Sequence, residues 1–341
     1  MRSIVSVVAT SPETVGDDYR RALDLAFISP AELGPSPMLL TRTAERPGFF
    51  SPPWQLESVL NFLEIERNDG PGTRIFPIRG EGAAKAGAAK PDTGWAPVLA
   101  RYGSDLVPVS ERALKPMRVT VPLPALGAVL PQGFAAPPVL MGAAGLLLTT
   151  PILNQRWQMS GNVALLFSLL AGKIRQDKRI PRTEIIAEVV GLAQQAMTTM
   201  ISVMDGAVWG VYGEDGKAHS LIRSVVLAGR DPVAVDAVAA RLAGLDPRRI
   251  PWLQLCADRG LGEVDPNKIQ IKGRGDLLGL DFQFPKGTFS SGPGTGSFLS
   301  WPGRMLGSLG RRKPAKDFES SAWGRMLTEY RSGNCTGLVQ E

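Results

Sequence analysis

The chain has 341 residues, a formal net charge of +6 and 44% hydrophobic residues, but only two cysteines and one histidine. That length can bury one large core or two ordinary ones, at about 100 to 200 residues per domain. Two cysteines far apart in sequence exclude a disulfide framework and any iron–sulfur cluster, and they suit a reducing cytoplasm.

At the start, residues 1–9 are too short for a signal segment and run into Glu13, Asp17 and Asp18, so residues 4–9 are read as a first strand. A helix over 18–26, a second strand over 38–41 and an amphipathic helix over 55–65 follow, the last carried by Leu56, Val59, Leu60, Phe62 and Leu63. Residues 79–91 form a Gly-, Ala- and Lys-containing loop without the spacing of a phosphate or dinucleotide fingerprint. Residues 119–153 carry no charge, yet six prolines interrupt them, which argues against a membrane-spanning helix. Within that stretch residues 145–149 read as a buried parallel strand. Strand and helix alternate throughout, so the expected class is α/β, a mainly parallel sheet with helices on both faces. Two lobes are expected, over 1–115 and 116–280, with a Gly/Pro-rich basic extension over 281–341 that is irregular.

Farther along, residues 162–173 read as an apolar helix ending in Lys173, and residues 184–200 as a core-facing helix whose methionines are packing. Next, residues 201–204 form a strand that ends at Asp205-Gly206, and residues 207–220 are a Gly-containing loop able to fold over a site. A strand over 222–228 delivers Asp231 in the same way, since ligands of open α/β sheets bind beyond the carboxyl ends of strands. Asp231 is also the N-cap of a helix in which Pro232 takes the first position and Gly244 follows the end. Inside that helix only Asp236 and Arg241 are polar, so Asp236 is buried and must find a cation, N–H donors, a metal or a proton. For Asp205 and Asp231, an Asp-Gly turn and a helix cap are equally good explanations. Cys256 lies in an apolar stretch and is read as core filler, and His219 as a solvated loop residue.

Residues 202–273, with Val203-Met204-Asp205-Gly206, the run over 228–247 and Asp258-Arg259-Gly260-Leu261-Gly262, resemble the core signature of domain-of-unknown-function family 362. A weaker likeness extends back to the first strand. In that family a Lys-Pro-Asn follows an early strand, where this chain has Thr41-Arg42-Thr43, and a Lys-x-His falls where it has Asn154-Gln155-Arg156. Ferredoxin-type cysteine clusters, common among relatives, are missing here. The resemblance implies a fold and a pocket without implying a reaction.

Two function classes survive. One is an acidic pocket of Asp205, Asp231 and Asp236 that leaves room for a divalent metal, with Arg42, Arg156 or Lys173 binding a small anionic molecule; the metal's identity and the reaction stay unassigned. The other is a catalytically reduced scaffold or regulatory partner. It would dock through residues 286–316, which hold six cations and no acid, on an anionic membrane surface or an acidic protein. No nucleic-acid recognition fold is present, so nucleic acid is not expected as a partner.

Overall fold

The computed structural model describes residues 2–35, 37–44, 46–64, 74–79, 92–107, 115–116, 120, 122–129, 135–136, 145–155, 158–168, 170, 181–212, 218–279 and 317–335. Arg156, Lys173 and the segment 286–316 lie outside them. The elements begin with β1 (Ser3–Ala9), α1 (Val15–Leu25), β2 (Met38–Thr43), α2 (Pro53–Glu64), β3 (Arg74–Arg79) and α3 (Trp95–Arg101). A two-residue pair, β4 (Lys115–Pro116) and β5 (Ala135–Ala136), flanks α4 (Pro124–Val129). Next come β6 (Gly145–Gln155), β7 (Gln158–Ser160), α5 (Asn162–Phe167) and α6 (Arg182–Ala196). The chain continues through β8 (Thr199–Tyr212), β9 (Ala218–Ile222), β10 (Val225–Gly229), α7 (Pro232–Leu242), α8 (Pro251–Asp258) and β11 (Ile269–Gly273), and then α9 (Asp317–Ser320) and α10 (Ala322–Ser332).

The sheet order is β11-β1-β10-β8-β6-β2-β3, with β7 added to β6 and β9 to β8. Strands β1, β2, β3, β6, β8 and β11 share one direction and β10 opposes them, so the sheet is mixed and mostly parallel. The fold is α/β. Strand residues alternate between two cores because successive side chains point to opposite faces. Val5, Val7, Leu40 and Leu148 join the core under α5–α8. Val8, Leu39, Leu147 and Val203 join the one under α1, α2, α3 and α10. The sheet crosses the expected 115/116 boundary, since β1 lies between β10 and β11, and β2 pairs with β6. The two expected lobes therefore share one sheet, with a core on each of its faces.

Two expectations about architecture are corrected. The C-terminal extension is not irregular throughout, because Phe318, Trp323, Met326, Leu327 and Tyr330 are buried in the α1–α3 core through α9 and α10. Those apolar residues recur at helical spacing, and Ser321 caps α10 by accepting from the Gly324 N–H at 3.0 Å. Residues 207–212 and 218–220 are not a lid loop either, and 213–217 lie outside the described residues. Apolar Val208, Trp209, Val211 and Tyr212 continue β8, which is 14 residues long and forms a hairpin with β9. His219 lies in that second strand opposite Val211, partly buried, and not in a solvated loop. No helix among the described residues is long and apolar enough to cross a membrane.

Candidate functional site

Asp205 lies inside β8, at a bulge where two residues of β6, Pro151 and Leu153, stand beside Asp205 and Gly210. Its carboxylate is buried completely. One oxygen accepts from the Tyr19 hydroxyl of α1 at 2.6 Å and the Trp54 indole N–H of α2 at 2.9 Å; the other accepts from the Ala207 and Val208 N–H groups at 3.0 and 3.4 Å. Burial pushes its pKa up to about 6 against the pull of those four donors, and the hydroxyl of Tyr19 is pushed well above its ordinary value.

Asp231 is the N-cap of α7, as its position before Pro232 predicts. One oxygen accepts from the N–H groups of Val233 and Ala234, both at 3.0 Å, and the other from Ser3 Oγ at 2.7 Å and the Glu263 N–H at 2.9 Å. Burial outweighs these donors and raises its pKa. Gly262 has to be glycine here, because a Cβ would run into the Asp231 carboxylate and Val233.

Asp236 is buried completely, as the apolar surroundings in sequence require, and its partners are backbone N–H groups of another helix. It accepts from Asn162 at 2.8 Å and Val163 at 3.0 Å, capping α5 from a distance of 74 residues in sequence. Its pKa is pushed up to about 7, first by burial and least by the nearby Asp231 carboxylate. A Cβ on Gly161 would overlap the Asp236 carboxylate, so the contact depends on glycine at that position. Next to it, Asn162 is fully buried and neither side-chain polar atom has a hydrogen-bond partner among the described residues.

The three aspartates do not form one pocket. Strand β10 runs antiparallel to β8, with Val226 opposite Asp205 and Gly229 opposite Ser202. Asp205 is thus at the start of β10 and Asp231 beyond its end, five extended residues or roughly 16 Å away along the sheet. The reversal has a local cause: β9 and β10 follow one another as the return arm of a hairpin, both antiparallel to β8, and the five residues between β8 and β9 are too few for the crossover that parallel strands need. Asp205 also belongs to the α1–α3 side of the sheet, whereas Asp236 serves α5 on the other side. Among the described residues no group of three or more His, Cys, Asp or Glu side chains is gathered so as to hold a metal ion.

Arg42 lies in β2 near its carboxyl end, nearly buried, with its Nε donating to the Phe49 carbonyl at 3.1 Å. Arg156 and Lys173 fall outside the described residues, so a convergence of Arg42 and Arg156 on Asp205 is not something these residues display. Cys256 is core, its thiol pushed up to about 12 chiefly by burial. Two carboxylates buried within apolar helices were missed. Glu57 of α2 accepts from Arg101 of α3 and from the Tyr330 hydroxyl of α10, and Glu188 of α6 accepts from the Ala125 and Leu126 N–H groups at 2.9 and 2.7 Å. The signal that flagged Asp236, an acid within an apolar helix, is present at both positions. No protein-family model matches the chain, and no curated protein matches it.

Proposed function

We propose that this chain is a scaffold or regulatory partner, with an Asp-rich signature that holds its own fold together, and that it docks to an anionic membrane surface through residues 286–316. One observation carries the reading: the oxygens of Asp205, Asp231 and Asp236 are engaged by donors of the chain itself, at three separate places. The substitutions at 41–43 and 154–156, relative to the family that the signature resembles, favour the same conclusion. The flanks of the basic segment add support. On one side the described residue Leu277 packs into the α5–α8 core, and on the other Phe318 packs into the α1–α3 core.

The test is sedimentation of the full chain with phosphatidylserine-containing vesicles, beside a variant in which Lys286, Arg304, Arg311, Arg312, Lys313 and Lys316 are all Gln. Attraction of up to about 1 kcal/mol per cation, screened beyond about 8 Å at physiological salt, predicts binding that weakens with salt and is lost in the variant. Equal sedimentation of the two proteins, or of neither, would overturn the docking proposal.

A second reading, an acidic pocket for a small anionic molecule near Asp236, is favoured by one specific observation. A carboxylate with a pKa near 7 lies beside an asparagine whose buried amide atoms have no partner among the described residues. Saturable calorimetric binding of magnesium ion or inorganic phosphate, abolished in a folded Asp236→Asn protein, would decide for this reading. No binding of either by the unaltered chain would decide against it.

A further inference from the structure

The β8 bulge at Asp205 supports a second piece of structure. Residues 46–51 follow the carboxyl end of β2, touch the middle of β6 at Thr149, and dock on β8 and β9. The Ser51 N–H donates to the Arg42 carbonyl at 2.8 Å, and Ser51 Oγ to the Thr149 carbonyl at 3.0 Å. Ser220 Oγ of β9 donates to the Pro47 carbonyl at 2.7 Å, and the rings of Phe49 and Tyr212 meet edge to face at 5.2 Å. Gly48, at φ 79°, lies so close to Trp209 and Gly210 that a Cβ on either glycine would strike the backbone of the other segment. The position of this loop thus follows the position of residues 207–210.

We propose that Asp205 is an internal proton switch, whose protonation releases the Val208 N–H and shifts the bulge together with the loop 46–51 that follows β2. The geometry explains the direction of release. All four acceptor positions of the carboxylate are taken, so a proton can enter only by displacing a donor, and the Val208 N–H at 3.4 Å is the longest of the four contacts. Among the described residues, no cation stands in hydrogen-bond contact with the carboxylate. From α1 it meets Tyr19, and from α2 Trp54; Glu57, one turn on, is engaged by Arg101 and Tyr330. The paired residues of β10 and β6 are the uncharged Val226 and Pro151, and α10 brings Trp323 against Trp54 with ring centroids 5.0 Å apart. Among the described residues Tyr19 is the only titratable side chain in hydrogen-bond contact, and it stays protonated throughout the range in which the carboxyl titrates. The group's midpoint near pH 6 makes the switch operate close to neutrality.

The experiment is a nuclear magnetic resonance titration of the full chain from about pH 8 to about pH 4.5. It follows the Trp54 indole N–H, assigned with Trp54→Phe, and the amides of Val208, Gly210 and Gly48. The expected result is one shared midpoint near pH 6 for all four signals. Tyr19→Phe removes a donor that favours the charged form, so it should move that midpoint up by about one pH unit, and Asp205→Asn should abolish the transition. A Trp54 signal that titrates while Gly48 and Gly210 stay still would overturn the coupling. Flat signals throughout, or a midpoint untouched by Tyr19→Phe, would overturn the switch itself.

Discussion

On the face covered by α5–α8, Asp231, Asp236 and Glu188 accept mainly from backbone N–H groups at the starts of chain segments. On the face covered by α1–α3 and α10, Asp205 and Glu57 draw on the side chains of Tyr19, Trp54, Tyr330 and Arg101. The difference is mechanical as well as chemical. A backbone N–H at a helix start cannot turn away to find another partner, so a capping carboxylate pins one segment to another. A tyrosine or arginine has rotamers to spare, and losing its acceptor leaves it a route to a new one. Carboxylates on the first face should therefore be the less replaceable.

The largest test of that contrast is Gly161→Ala. Its Cβ would push Asp236 off two buried N–H groups, so overpacking and lost acceptors together should cost about 4 kcal/mol, read from urea unfolding. A variant within about 0.5 kcal/mol of the unaltered chain would show that the capping contact is dispensable.

Acidity probes both faces at once. Asp205 and Asp236 have folded pKa values of about 6 and about 7, above the ordinary 3.8, because burial disfavours their charged forms. A group that binds its proton more tightly when folded lends stability that is fully present below its unfolded pKa and lost as pH rises through the folded one. Between about pH 4 and about pH 8 these two groups together should therefore lower the unfolding free energy by roughly 6 kcal/mol. Asp205→Asn and Asp236→Asn should each flatten part of that fall, Asp205 the part at lower pH. A stability that rose over this interval would contradict the burial of both groups.

Smaller effects separate the faces further. Tyr330→Phe should cost about 1.5 kcal/mol, since Glu57 keeps Arg101 as a partner. A double-mutant cycle with Glu57→Gln should give a coupling near 1 kcal/mol, and a value near zero would show that the Tyr330–Glu57 contact does not help to hold α10. Asp231→Asn comes last at about 1 kcal/mol, the usual worth of a helix cap, because Asn keeps one cap acceptor. A loss of 3 kcal/mol or more would rank this cap with the Asp236 contact.

The helix around Asp236 was legible in the sequence almost to the residue. Asp231, Pro232 and Gly244 mark its ends through backbone chemistry that acts over three or four residues. The strand–helix alternation that specifies an α/β fold is likewise local periodicity, and so is the burial of an acid among Val and Ala. The partner of Asp236 was not legible, because Gly161 and Asn162 reach it across 74 residues through tertiary packing. Asp205 was misplaced at a strand end for a related reason. The Asp205-Gly206 pair reads as a turn, but pairing of β8 with β6 and β9 draws those residues into a bulged strand. The direction of β10, and with it the separation of Asp205 from Asp231, likewise came from which strands lie side by side. Local sequence determined the elements and the need to satisfy each buried acid; only the assembled sheet decided which donors do so, because hydrogen bonds between distant segments depend on register and direction.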